Sequence, residues 1–118
     1  MLVNAIIDKL KTGSIKKIIL FSDTEVFPDP PYVVVKPEVG VMEKTRSYRI
    51  IAHNKKGQFD ALEEYTLKEL DNLLLGGLTD DKGNRYKLYA NGFTDITSNQ
   101  IDDSYFMERI YIAPLLVR

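Results

Sequence analysis

The chain has no cysteine and no tryptophan, and its 118 residues include a single histidine. Without cysteine there can be no disulfide and no thiolate metal site. One histidine leaves little for imidazole chemistry. Charge of one sign is missing too: 16 basic residues stand against 17 acidic ones, a net charge of −1. No global field is present to draw in nucleic acid or an anionic membrane, and a near-neutral surface protects poorly against self-association. Long apolar runs are also lacking. The start, Met1-Leu2-Val3-Asn4, has no basic n-region, so neither a signal peptide nor a membrane span is expected.

What remains is 44% hydrophobic, ordinary for a chain that builds a core. A length of 118 residues suits one domain, residues 1–118, able to bury roughly two-thirds of the surface its unfolded chain exposes.

Leu2, Val3, Ile6, Ile7 and Leu10 recur at helical spacing, and Gly13 offers a stop. Lys16 to Phe21 reads as a short strand. Pro28, Pro30 and Pro31 make residues 24–31 a stiff, extended loop. Tyr32 to Lys36 is a second strand, which Pro37 ends or puts on an edge. Residues 38–45 have no clear period; they fit the far end of a β-hairpin or an exposed loop with an apolar tip. From Arg46 to His53 the chain alternates, with Tyr48, Ile50 and Ala52 on the expected core face and His53 on the outer one. After a turn at Asn54–Gly57, a helix is expected from about Gln58 to Leu75. Its inward stripe is Phe59, Leu62, Leu70 and Leu73, with Leu67 and Leu74 flanking it, and Gly76-Gly77 stops it. A polar turn (78–84), a strand (85–90), an Asn91-Gly92 turn and two further strands (93–97 and 105–113) complete the pattern. Strands in consecutive runs on either side of the second helix predict an α+β fold. The sheet would be largely antiparallel, of about five to six strands, with both helices on one face.

Residues that could carry chemistry are few. His53 lacks the neighbours of a metal site or a catalytic triad and reads as a partly exposed histidine. No nucleophile elbow, P-loop or dinucleotide fingerprint occurs, and Gly76-Gly77 ends a helix rather than opening one. Asp80-Asp81-Lys82-Gly83-Asn84 fails the calcium-loop spacing and is explained by turn chemistry. Asp29 and Lys36 resemble part of a metal-dependent nuclease pattern, but Val34 stands where its second acid would be. No catalytic, cofactor or metal residue is therefore expected. A sheet face using Arg46, Arg49, Lys55, Lys56, Lys87, Arg109 and several tyrosines to bind single-stranded nucleic acid is the alternative function.

Four stretches carry a family likeness. They are the helix Leu2 to Leu10; the proline-tipped entry P-D-P-P-Y-V-V-V; the run R-S-Y-R-I-I-A-H-N-K-K-G-Q-F-D-A-L-E-E-Y-T-L-K-E-L-D-N-L-L; and the C-terminal F-T-D-I-T with D-D-S-Y-F-M-E-R-I-Y-I-A. In layout and length the chain resembles the tail-terminator and head–tail joining proteins of long-tailed bacteriophages, the group that includes the lambda tail terminator. That family has a developed strand pair ahead of its long helix. The resemblance implies a non-enzymatic virion part without cofactors, a small subunit of a hexameric ring. The ring caps the tail tube, stops its polymerisation, docks it to the head connector and lets DNA pass without sequence-specific binding. Its partners would be itself, the tail tube protein and the head-connector protein. Its location would be the tail or neck of a virion, and the host bacterial cytoplasm during assembly.

A ring closes through two different surfaces on each subunit. Candidate interface residues are Phe27 on the proline loop, Val39, Val41 and Met42 in the unpatterned segment, and Leu115 and Leu116 in the apolar tail. Each also fits an ordinary place in a core or a hairpin.

Overall fold

The structure is a computed structural model; it describes residues 2–21, 27–39, 45–99 and 103–114. Helix α1 (Leu2–Leu10) comes first, followed by strands β1 (Ile18–Leu20), β2 (Tyr32–Val39) and β3 (Thr45–Lys55). One continuous helix, α2, is built from Phe59–Glu64, a π-helical turn Tyr65–Glu69, and Leu70–Leu74. Five strands follow: β4 (Leu78–Thr79), β5 (Arg85–Tyr86), β6 (Tyr89–Phe93), β7 (Thr97–Asn99) and β8 (Ser104–Pro114). The main sheet runs β1-β2-β3-β8-β6, with β7 also paired to β8, while β4 and β5 form a small sheet of their own. Only the β1–β2 pair is parallel, so the α+β expectation of a largely antiparallel, mixed sheet holds.

Both helices pack on one face of the sheet. Leu2, Ala5, Ile6 and Leu10 of α1 and Leu62, Tyr65, Leu70 and Leu74 of α2 share a buried cluster with Val33, Val35, Tyr48, Ile50, Ala52, Met107, Tyr111 and Ala113. Alternation along β3 decided this as expected, since Tyr48, Ile50 and Ala52 are all buried. Arg46 has the inward parity and is nevertheless exposed, although its partner Ala113 in the same row is buried.

Some local expectations are decided and others corrected. Of the two readings of Pro37 the edge position holds: it does not end β2, and pairing continues to Val39 opposite Arg46. Among the described residues β1 pairs only as far as Val35 and no strand lies beside Pro37 on that edge, a position that tolerates its missing N–H. Residues 38 and 39 and 45 onward thus belong to the antiparallel β2–β3 ladder, and residues 40–44 lie outside the described residues. Asn91-Gly92 is not a turn either. It forms a bulge within β6, with Gly92 at φ 132° and a register shift between Ala90 and Gly92.

The helix stripe also differs. Phe59 is 41% exposed, meeting only the edge of Tyr105 at 4.8 Å, and Leu74 rather than Leu73 is fully buried. The exchange of Leu73 for Leu74 follows the π-helical turn, which inserts one residue into the helical repeat ahead of both; Phe59 precedes that turn, at the helix's first residue. Glu69 is carried towards α1, where its carboxylate accepts from Ser14 N–H (2.7 Å) and Ser14 Oγ (2.7 and 2.8 Å). Gly13 makes this approach possible, since a Cβ there would lie 2.7 Å from both Glu69 Oε2 and Leu73 Cδ1.

Candidate interaction surface

The strand parity that buries Val33 and Ile50 sends Val34, Lys36 and Glu38 of β2 to the opposite face. With them go Ser47, Arg49, Ile51 and His53 of β3, Phe106, Glu108, Ile110 and Ile112 of β8, and Tyr89 of β6. Among the described residues no helix packs on this face. Register sorts it into rows across the strands. At one end lie Tyr32, His53 and Phe106; next come Val34, Ile51 and Glu108; then Lys36, Arg49, Ile110 and Gly92; then Glu38, Ser47, Ile112 and Tyr89.

The first row is closed over. Phe27 stacks on Tyr32 (centroids 5.5 Å apart, planes 5° apart), Tyr32 stacks on His53 (4.4 Å), and Phe106 tilts against the imidazole at 5.4 Å. His53 is therefore buried, 7% exposed, and its Nδ1 lies 3.4 Å from Ser104 Oγ. This corrects the partly exposed histidine expected from sequence. Parity put it on the outer face correctly, but the proline loop returns to cover it.

The next rows hold an ion cluster. Arg49 Nη1 donates to Glu108 Oε2 at 2.9 Å, and Arg49 Nε lies 3.1 Å from Glu38 Oε1. The second contact is close enough for an ion pair but is not aligned as a hydrogen bond, so the buried Nε keeps an unmade bond. Lys36 holds its ammonium 4.8 Å over the Phe21 ring. Around these charges Ile110 and Ile112 are half-buried, Phe21 is exposed and Tyr89 is 50% exposed.

On the helix side the polar groups are structural. Asp71 of α2 accepts from Arg109 Nε (3.2 Å) and Nη2 (3.0 Å) and from Tyr111 Oη (2.6 Å). Its hydrogen bond is the main cause that raises the Arg109 guanidinium further, while burial and then the same carboxylate push the Tyr111 phenol well up. In the β4–β5 hairpin, desolvation alone would raise the Asp80 carboxyl. The N–H groups of Asn84 and Lys82, the Asn84 amide and the Tyr86 hydroxyl outweigh it and hold Asp80 at about 2, against an ordinary 3.8. This is turn chemistry, as expected for that stretch. Among the described residues, no group of three or more His, Asp or Glu is placed to hold a metal ion, and no helix is long and apolar enough to cross a membrane.

Of the candidate interface residues, Phe27 is half-buried in the aromatic stack and Val39 is the last residue of β2. They flank opposite ends of that strand, so the structure does not bring them together. Val41, Met42, Leu115 and Leu116 lie outside the described residues. Placing both helices on one face already left the other open, and the nucleic-acid alternative used it; what sequence reasoning missed is its apolar character. Its signal was β8, where Phe106, Ile110 and Ile112 alternate with Met107, Tyr111 and Ala113. A strand apolar on both faces marks a sheet with two faces to cover.

Neither protein-family models nor curated proteins give a match to this chain.

Proposed function

We propose that this chain is a non-enzymatic assembly subunit of the tail-terminator or head–tail joining type. It forms a ring that caps a phage tail tube, docks it to the head connector and leaves a channel for DNA. The observation that carries this reading is the β2–β3 pair. Its register is unbroken from Tyr32–His53 to Val39–Arg46, and β3 then turns over into the long helix. A developed strand pair ahead of the helix is the layout of the family the sequence resembles, at the place where residues 38–45 had no readable period. A near-neutral net charge suits a subunit that meets copies of itself.

Nucleic-acid binding by the sheet face gains less support. That reading draws on cations beside exposed aromatics: Lys36 over Phe21 and Lys87 over Tyr89 fit it, but Arg49, at the centre of the face, is held between Glu38 and Glu108.

Light scattering over a concentration series, with electron microscopy of negatively stained particles, tests the ring. A closed ring at high concentration, and arrest of tube growth when the chain is added to polymerising tail tube protein, are the expected results. A monomer at every concentration that leaves tube growth unchanged would overturn the reading.

A further inference from the structure

We propose that the open sheet face is a two-fold contact with a second copy of this chain, packed sheet on sheet with β2 of one copy antiparallel over β2 of the other. The argument is complementarity between two adjacent rows of the face. One row reads Lys36, Arg49, Ile110, Gly92 across β2, β3, β8 and β6; the next reads Glu38, Ser47, Ile112, Tyr89 over the same strands. A two-fold axis lying in the interface, across the strands and level with Pro37, exchanges these rows. Lys36 then faces Glu38 of the other copy, and Glu38 faces its Lys36. Arg49 faces Ser47, Ile110 faces Ile112, and Tyr89 faces Gly92. Each pairing is favourable: opposite charges, a cation with a hydroxyl, two branched aliphatics, and a large ring over a residue with no side chain. The same rows slid by two residues would set Lys36 on Lys36 and Arg49 on Arg49.

Within one chain these groups are incompletely satisfied. Among the described residues the Lys36 ammonium has an aromatic ring but no carboxylate near it. Glu38 is 38% exposed and meets Arg49 only through the unaligned Nε. Tyr89 is half exposed. The sheet edges offer less to a neighbour. β1 has three residues, the edge of β2 beyond it carries Pro37, and β6 is bent by its bulge. Aligned sheets pack about 10 Å apart with strands within about 30° of each other, which an axis across the strands provides.

The contact is isologous and does not rest on the ring reading; a heterologous ring uses other surfaces. The test is charge reversal read by sedimentation equilibrium, with circular dichroism to confirm folding. Lys36→Glu and Glu38→Lys should each weaken self-association about tenfold or more. The double swap, Lys36→Glu with Glu38→Lys, should return it to near the parent value. A second test uses the cysteine-free background. Equimolar Lys36→Cys and Glu38→Cys chains should crosslink when mixed under oxidation, and neither should crosslink alone. A monomer at all concentrations, self-association untouched by either reversal, or single reversals that the double swap does not rescue would each overturn the proposal. A ring stoichiometry insensitive to both reversals would do so too, while leaving the ring reading standing.

Discussion

Asp71 shows how much one side chain can hold. It ties α2 to β8 through Arg109 Nε and Nη2 and the Tyr111 hydroxyl, and the Arg109 side chain is only 14% exposed. Asp71→Ala strands that guanidinium, so a loss of about 3 kcal/mol is expected in denaturant unfolding, with Asp71→Asn costing less. Leu70 is fully buried, and Leu70→Ala should cost roughly 2–5 kcal/mol in the same measurement. Thr66 behaves in the opposite way. It is fully buried with no partner for Oγ1, so Thr66→Val should leave stability unchanged or raise it by up to about 1 kcal/mol, seen as a higher Tm. Asp80 sets a pH dependence. Its folded value of about 2 lies below the ordinary 3.8, so the stability it contributes is fully present above about 4 and fades as pH falls towards 2. Melting curves across that window should show the parent chain approaching an Asp80→Asn variant at the acid end. Leu70 and the Asp80 turn were legible in the sequence. Asp71 and Thr66 were not, because their partners, or the lack of them, come from elsewhere in the fold.

The helix α2 carries the clearest lesson among the elements. Its existence and ends were readable from apolar spacing and from Gly76-Gly77, but its phase was not. A π-helical turn costs regular hydrogen bonding, and it persists here because packing compensates: Tyr65 and Thr66 are buried before the shift, Leu70 and Leu74 after it. The displaced Glu69 then holds the loop after α1. Gly13→Ala should break that link, since a Cβ meets a carboxylate already bound to Ser14, and a loss of about 1 kcal/mol is expected by thermal melting. A larger loss would mean that α1 itself is dislodged. In β6 the same contrast appears. Asn-Gly was correctly read as a place of unusual backbone, but whether it makes a turn or a bulge depends on β8 continuing alongside it.

For the whole molecule, the contrast is between its two sheet faces. One is filled by α1 and α2; the other presents ion pairs, isoleucines and an exposed tyrosine. Aliphatic residues on β8 facing away from the helices have a use if another chain covers them, and the two-fold contact draws on that face. Replacing Ile112 with Ser should lower self-association while leaving the melting temperature nearly unchanged, because its side chain is only half-buried in the single chain. Equal loss of both would mark it as a core residue.

By itself the sequence determined the fold class, the inward face of β3, the helices and the turn chemistry at Asp80. All of these depend on local periodicity and on backbone preferences that act within a few residues. Only the tertiary structure decided how far β2 and β3 pair, the phase of α2, the burial of His53 and the rows of the open face. Each of those depends on which distant segment lies alongside. Cross-strand register places Lys36 beside Arg49 and Glu38 beside Ser47, and no spacing along the chain encodes that neighbourhood.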